Sequence, residues 1–300
     1  MYCEYYGLVR SPFEMTPDPS FLFLGEAHRE GLATLLYGVK AGKGFVMLTG
    51  EVGTGKTTLL HALLGQLDSK TKSAFIFNPR LTPLGFFRVL FEELDIEPRR
   101  KNKADYLLQL NEFLIERLAK NEKTLLIVDE AQNLSIEMLE EIRLLSNLET
   151  PRSKLIQIML VGQPELKEML RKPELRQLRQ RIALSHHLRS FDEDETYEYV
   201  EDRLRRAGYT GGRLFKRSAL RALYRITRGT PRLLNVLCDS ALLMGFARAQ
   251  KVVDADMIKE AAEDLDMLEM LPSESESASR GDGQKRSRSK VRELFRFFRD

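Results

Sequence analysis

Cysteine is nearly missing from this chain. Only Cys3 and Cys238 carry a thiol among 300 residues, and neither belongs to a CxxC pair or lies beside paired histidines. That excludes a disulfide framework and a cysteine-built structural metal site, and it points to a reducing compartment. An excess of one charge is missing too: 47 Lys and Arg against 44 Asp and Glu leave a formal charge of +3, which demands no polyanionic partner. No window approaches the roughly 18 uninterrupted apolar residues of a membrane span. The opening "MYCEYYGLVR" lacks the apolar stretch of a signal peptide. These absences lead to the expectation of a cytoplasmic protein, with contact against a membrane surface left open. No internal repeat is visible. What is present is 43% hydrophobic residues, enough for one large core or two modest ones.

The apolar residues are arranged in two regimes. Up to about Phe191, short apolar runs alternate with amphipathic segments. "GFVMLTG" (44–50), "SAFIFNP" (73–79), "TLLIVDEA" (124–131) and "LIQIMLVGQP" (155–164) read as strands buried on both faces, with "HHLRSF" (186–191) a candidate fifth. Between them, "KTTLLHALLGQL", "LGFFRVLFEEL" and "DYLLQLNEFLIERLAK" carry apolar residues at helical spacing. Strands alternating with helices predict an α/β fold, a parallel sheet wrapped by helices. After Phe191 the strand signal stops, and helices are predicted at 192–207, 217–228, 231–249 and 254–267. The expected organisation is an α/β domain over 1–191, an all-helical domain over 192–268, a Ser- and Glu-rich linker over 269–289 and a basic amphipathic tail helix over 290–300.

The chemistry starts at "LTGEVGTGKTTLL". Gly50, Glu51, Val52, Gly53, Thr54, Gly55, Lys56, Thr57 and Thr58 fit the G-x-x-x-x-G-K-[ST] phosphate loop, with a strand leading in and a helix leading out. Backbone N–H groups must converge on phosphate oxygens, which favours glycines without Cβ clashes. The dipole of the outgoing helix adds positive potential. Lys56 supplies charge for the β- and γ-phosphates of ATP, and the Thr57 hydroxyl is a ligand for Mg2+. "LLIVDEAQ" ends a buried strand with two adjacent acids: Asp129 as the Mg2+ anchor and Glu130 as the base for water. An acid poised for water favours hydrolysis over transfer to a second substrate.

Other candidates follow downstream. Gln163 in "LVGQP" stands at a strand's carboxyl end, placed either to contact the γ-phosphate or water, or simply to open the Pro turn. In "RITRGTPRLLN", Thr230 as N-cap and Pro231 at the first helical position put Arg232 in a first turn, where the dipole disfavours a cation unless an anion is near. In "PELRQLRQRIALS", Arg176, Arg179 and Arg181 flank an apolar stripe of Leu175, Leu178 and Ile182. One of them, with Arg181 favoured, is a candidate to reach a neighbouring subunit's nucleotide. His186 and His187 are expected on opposite faces of a strand, in packing or surface roles.

Taken together, "YYGLVRSPFEMTPDPSFLFLGEAHREGLATLLYGV", "KGFVMLTGEVGTGKTT", "LLIVDEAQNLS", "LVGQPEL", "LRQRI" and "GTPRLLN" resemble, in order and spacing, the general-secretion-pathway A-type ATPases, the ExeA family of the AAA+ class. The resemblance covers about residues 1–268. It implies a P-loop nucleotide domain with a helical lid, ATPase activity, and an oligomer that forms with nucleotide. It also implies Lys56 and Thr57 as Walker A, Asp129 and Glu130 as Walker B, Gln163 at the first sensor, Arg181 as the finger and Arg232 as the lid sensor. Gln163 departs from the Asn, Ser or Thr common at that position. The N-terminal segment would then be placed to cover adenine, with Tyr6, Phe13 or neighbours either stacking on the base or simply packing against the sheet.

Two uses of the nucleotide follow. One is an assembly factor in envelope secretion or polysaccharide export, working at the cytosolic face of the inner membrane. Val291, Leu294, Phe295 and Phe298 of the tail form an apolar line among arginines that suits lipid or a partner. The other is a DNA-linked AAA+ ATPase of the transposition-helper or initiator type, set against the acids interspersed in "FDEDETYEYVEDRLRRAG". A slow nucleotide-dependent switch is a third reading.

Overall fold

The computed structural model describes residues 1–16, 18–77, 81–151 and 153–267. The linker beyond 268 and the tail helix expected at 290–300 lie outside the described residues. The chain runs α1 (Tyr2–Tyr6), α2 (Glu26–Lys40), β1 (Phe45–Gly50), α3 (Lys56–Leu64), β2 (Thr71–Ile76), α4 (Pro83–Glu93), α5 (Lys103–Ala119), β3 (Lys123–Val128), α6 (Ile136–Leu145), β4 (Gln157–Gly162), α7 (Glu165–Met169), α8 (Arg176–Arg181) and β5 (Ile182–Leu188). Four further helices follow among the described residues: α9 (Glu193–Arg206), α10 (Arg217–Thr227), α11 (Pro231–Ala247) and α12 (Ala255–Asp264).

The five strands form one parallel sheet in the order β2-β3-β4-β1-β5. All six residues of β1 and of β4 are buried, as continuous apolar runs in a doubly covered sheet must be. Alternation sorts their side chains between two cores. Phe45 and Met47 face the layer of α4, α5 and α6; Val46 and Leu48 face α2 and α3. The fifth strand differs from expectation. It begins at Ile182, so that residue opens a strand instead of extending the helical stripe of Leu175 and Leu178. Residues 182–187 alternate between partial burial and exposure, the signature of an edge strand, and Leu188 is buried. His186 and His187 point to opposite faces, on Ala27 O (2.9 Å) and Thr49 Oγ1 (3.1 Å).

The helices after the sheet enclose a third core, and the chain's N-terminus belongs to it. Tyr6, Leu8, Phe13 and Phe21 pack with Phe191, Tyr199, Phe215 and the inner faces of α10, α11 and α12. Phe13 meets Phe215 edge to face at 6.2 Å, and the Tyr6 hydroxyl donates to Gln250 O at 3.0 Å. This corrects the expectation that Tyr6 or Phe13 stacks on a base. Both are consumed by the helical core, because Val9 N pairs with Ala207 O and Arg203 binds the Pro12 carbonyl, drawing the segment across α9.

One carboxylate joins the two parts. Glu195 accepts the backbone N–H of Glu26 at 2.6 Å, that of Asp192 at 2.9 Å and Arg189 Nη1 at 2.9 Å, tying the start of α9 to the start of α2. Burial alone would raise its pKa, but these donors outweigh burial and hold it below the usual 4.5. The sign follows. A carboxyl depressed in the folded state contributes stability above its ordinary pKa, and that contribution drains as pH falls through the lower native value. Glu195→Gln is therefore expected to unfold at lower denaturant than the parent at pH 7, by about 1–3 kcal/mol, with the gap closing on acidification below about pH 4. A gap that stays constant from pH 7 to pH 3 in urea titrations would remove the carboxylate from this role.

Candidate nucleotide site

The site starts at the end of β1. The chain turns through Gly53 (φ 79) and Gly55 (φ 94), left-handed backbone that glycine adopts without strain, and enters α3 at Lys56. Lys56 is 7% exposed, and its Nζ donates to Gly50 O at 2.8 Å and Glu51 O at 3.0 Å. Burial lowers its pKa, opposed by the fields of Glu130 and Asp129. The Thr54 hydroxyl donates to Glu51 O at 2.8 Å, so Thr54 holds the loop in shape.

His28 of α2 backs the loop, a residue that sequence reasoning missed. Its Nε2 lies 2.9 Å from Thr54 O; a carbonyl only accepts, so Nε2 carries the proton. Burial lowers the imidazole's pKa and keeps it neutral. Its ring also lies 5.0 Å from that of Phe191, at the junction of sheet and helical part.

Across from the loop, β3 delivers the two acids. Asp129 is 5% exposed; burial raises its carboxyl, and Oδ1 accepts the Glu130 N–H at 2.8 Å. Glu130 sits at φ 51, a left-handed conformation strained for a non-glycine residue. Its Oε2 receives two amides, Gln132 Nε2 at 2.5 Å and Gln163 Nε2 at 3.3 Å. Gln132 Oε1 in turn accepts the Gln163 backbone N–H at 3.0 Å. Gln132 thus bridges the ends of β3 and β4, through the space that a Cβ on Gly162 would take at 2.6 Å from its Oε1. Gln132 was visible in "DEAQ", but its bond to Gln163 comes from strand neighbours 31 residues apart.

The helical part closes the top. α11 begins at Pro231, and the Arg232 backbone N–H donates to Gly53 O at 3.3 Å, so this helix rests on the phosphate loop. The Arg232 side chain is exposed and has no carboxylate partner among the described residues. Val52, Gly53, Gly55, Lys56, Thr57, Thr58, Glu130 and Arg232 share the wall of one cavity of about 710 Å3, within the usual range for ligand sites. Gly50, Glu51 and Thr54 shape the loop behind it, and Asp129 and Gln163 reach it through Glu130. Glu14, Met15 and Phe23 line its far side, in the place first expected for Tyr6 and Phe13. Arg181 is apart from this cavity: its Nη1 donates to Ser146 Oγ at 2.5 Å, at the end of α6.

A glycine cradle at a helix start, a buried lysine held on loop carbonyls, an unpaired arginine and a buried carboxylate fit a magnesium-bound nucleoside triphosphate. With the five-stranded sheet order and the helical cap, this defines the AAA+ class of P-loop proteins. Residues 39–170 match the family described as an AAA domain. Among solved structures, the chain aligns with the ORC2 protein of Aeropyrum pernix (TM-score 0.60, 21% identity, 85% of this chain and 71% of that one). It also aligns with Cdc6p of Pyrobaculum aerophilum (TM-score 0.65, 19% identity, 86% and 75%). At such identities the likeness shows the fold alone. A curated relative is more informative: general secretion pathway protein A of Aeromonas hydrophila is 44% identical over 260 residues, 86% of this chain and 47% of the relative. Over 86% of its length the chain thus resembles the general-secretion-pathway A type, the ExeA family, of AAA+ proteins, and it spans about half the length of the relative it matches.

Proposed function

We propose that this chain binds Mg-ATP in the cavity between the phosphate loop and α11, hydrolyses it, and uses the cycle in an assembly step of envelope secretion or polysaccharide export at the cytosolic face of the inner membrane. The observation that carries the reading is the meeting of Lys56, Glu130 and Arg232 at one cavity, two cations without carboxylate partners among the described residues and one acid. Thr57 and Asp129 are the residues that would hold Mg2+, which when bound neutralises charge on the β- and γ-phosphate oxygens. Lys56 binds phosphate oxygens, Glu130 takes the proton of the attacking water, and Arg232 reports the terminal phosphate to the lid, residues 192–268. Arg181, turned away from its own cavity, is assigned to a neighbouring copy's nucleotide. Secretion is favoured by the name of the relative; among the described residues no helix is long and apolar enough to cross a membrane.

Calorimetry with Mg-ATP and Mg-ADP, followed by turnover per subunit against protein concentration, tests this reading. Saturable heat and a rate that rises with concentration are expected; a folded chain showing no heat of binding would overturn it.

Gln132 gives a further prediction. The Gln132 amide occupies the Glu130 Oε2 that the attacking water would have to reach. Losing one hydrogen bond of about 1 kcal/mol should release that restraint. Gln132→Ala is expected to raise basal turnover roughly fivefold, with Mg-ATP affinity unchanged. A fall in turnover would mean that Gln132 holds Glu130 in its working position.

A further inference from the structure

One side chain on the cavity wall has hydrogens to give and nothing to take them. Asn235, on α11 one turn beyond Arg232, is 8% exposed and lines the cavity. Two buried neighbours on α9 fix the orientation of its amide. Arg203 Nη1, a group that only donates, lies 3.3 Å from the Tyr199 hydroxyl oxygen, so that oxygen accepts. The phenol's single proton is then left for Asn235, at 2.6 Å, and only the amide oxygen can take it. Burial pushes the phenol's pKa up, so this proton stays in place. Oδ1 is thereby committed to Tyr199, and Nδ2 keeps its two hydrogens with no acceptor among the described residues. Buried donors are normally paired, so this one calls for an acceptor in the cavity.

The surroundings define which part of a ligand it would meet. The Arg232 N–H rests on Gly53 O, so the start of α11 stands over the phosphate loop, and Asn235 lies about 4.5 Å farther along the helix axis. Beside it the wall turns aromatic. Phe23 and Tyr199 lie 5.7 Å apart between ring centres, Phe23 and Phe191 5.4 Å, and Phe191 and Tyr199 5.1 Å, and all three line the same cavity. Such a wall suits a flat, weakly polar group and offers little to a phosphate. Arg203 also donates to Pro12 O and, at 3.4 Å, to Glu14 O, and Glu14 closes the far side of the cavity. One guanidinium thus holds both the Tyr199–Asn235 pair and the N-terminal segment opposite the phosphate end.

We infer that Asn235 Nδ2 donates to an acceptor on the nucleoside half of the ligand, and so distinguishes a nucleotide from bare polyphosphate. Base ring nitrogens and ribose oxygens are acceptors of this kind. Asn235 acts on affinity and not on the chemical step, because it stands away from Glu130 and the loop. Tyr199 is a positioning residue: its hydroxyl turns the amide so that the donor faces the cavity. The inference rests on the reading of this cavity as a Mg-ATP site. It adds what holds the half of the ligand that Lys56, the loop and Arg232 do not serve.

Calorimetry on the full chain tests it, with Mg-ATP and with Mg-tripolyphosphate as a probe of the phosphate end alone. Asn235→Leu, close in size and without a donor, should weaken Mg-ATP binding about five- to tenfold and leave Mg-tripolyphosphate at the parental affinity. Tyr199→Phe leaves the amide free to turn and should weaken Mg-ATP about threefold, again without effect on tripolyphosphate. Tripolyphosphate binding also reports a folded site, so if Asn235→Leu loses both probes, Tyr199→Phe decides. The inference is overturned, with the proposed function intact, if both variants bind Mg-ATP like the parent. Equal losses for the two probes in Tyr199→Phe would reduce the pair to packing and overturn it too, as would a parent that binds both probes equally well. A folded parent that binds neither probe overturns this inference and the proposed function together.

Discussion

Glu130→Gln is expected to reduce turnover by about 10²- to 10³-fold while leaving Mg-ATP affinity close to the parent's. The size follows from the loss of one preorganised group acting on developing charge, about 2.7–4 kcal/mol in the transition state. The separation of rate from affinity follows from geometry. Glu130 lies on the cavity wall, whereas the Lys56 ammonium, the loop and Arg232 supply the contacts for phosphate. The change swaps a carboxylate oxygen for an amide nitrogen of nearly the same size, so the left-handed turn at residue 130 and the strand ends around it have no steric reason to move. The amides of Gln132 and Gln163 lose a charged acceptor but keep a neutral one, because both donate to the one oxygen that the new amide oxygen can replace. Steady-state kinetics with calorimetry on the same preparation checks the result. A variant that hydrolyses ATP at the parental rate would assign the base to another group; one that no longer binds would make Glu130 part of the binding surface.

Gly229→Ala should be the most damaging single methyl in the chain. Gly229 has φ 71, and a Cβ built there would stand 1.9 Å from the Phe191 carbonyl oxygen, with the Phe191 carbonyl carbon at 2.7 Å. Backbone cannot turn aside as a flexible side chain can. The two segments are also tied together, because the Phe191 N–H donates to Gly229 O at 3.0 Å. Making room for the methyl therefore means separating residues 190–192 from 229–230, where the sheet domain meets α11. That movement would also pull Arg232 N from Gly53 O and the lid off the phosphate loop. Left-handed strain of about 1–2 kcal/mol adds to the clash. A loss of at least about 3 kcal/mol is expected, seen as a drop in melting temperature on the order of 10 °C, with Mg-ATP affinity reduced tenfold or more in whatever remains folded. Gly212→Ala is the control: a Cβ there meets nothing within 4 Å, and its φ is not positive, so stability should stay within about 0.5 kcal/mol. Equal melting temperatures for the two variants would remove the junction from this account.

Some parts of the site were readable before any coordinates because their chemistry is contiguous. Gly50 to Thr58 carry their own instruction, since glycines, a lysine and a hydroxyl within nine residues already specify the loop and the helix that follows. Asp129 and Glu130 were readable because a buried apolar run ends on them. Arg232 was readable from its cap, Thr230–Pro231. The residues that escaped, Gln132 and His28, look ordinary where they stand. Each acquires a role from a partner supplied by a different element: Gln163 on the neighbouring strand's end for Gln132, and the Thr54 carbonyl for His28. The N-terminal aromatics misled for the same reason. Tyr6 and Phe13 are equally suited to a base or to a core, and contacts with Gln250 and Phe215 chose the core.

The amino-acid order alone determined the local matters: which runs become buried strands, where helices start, and which loop turns through glycines into a helix start. These depend on period, capping and backbone freedom over a few residues. Tertiary structure alone decided that Tyr6, Leu8, Phe13 and Phe21 complete the helical core, that Glu195 latches α9 to α2, and that two glutamines donate to Glu130. Such contacts join groups as distant in sequence as Tyr6 and Gln250, 244 residues apart. Their free energies depend on burial and on donors brought within 3 Å, quantities that no neighbouring residue in the chain specifies.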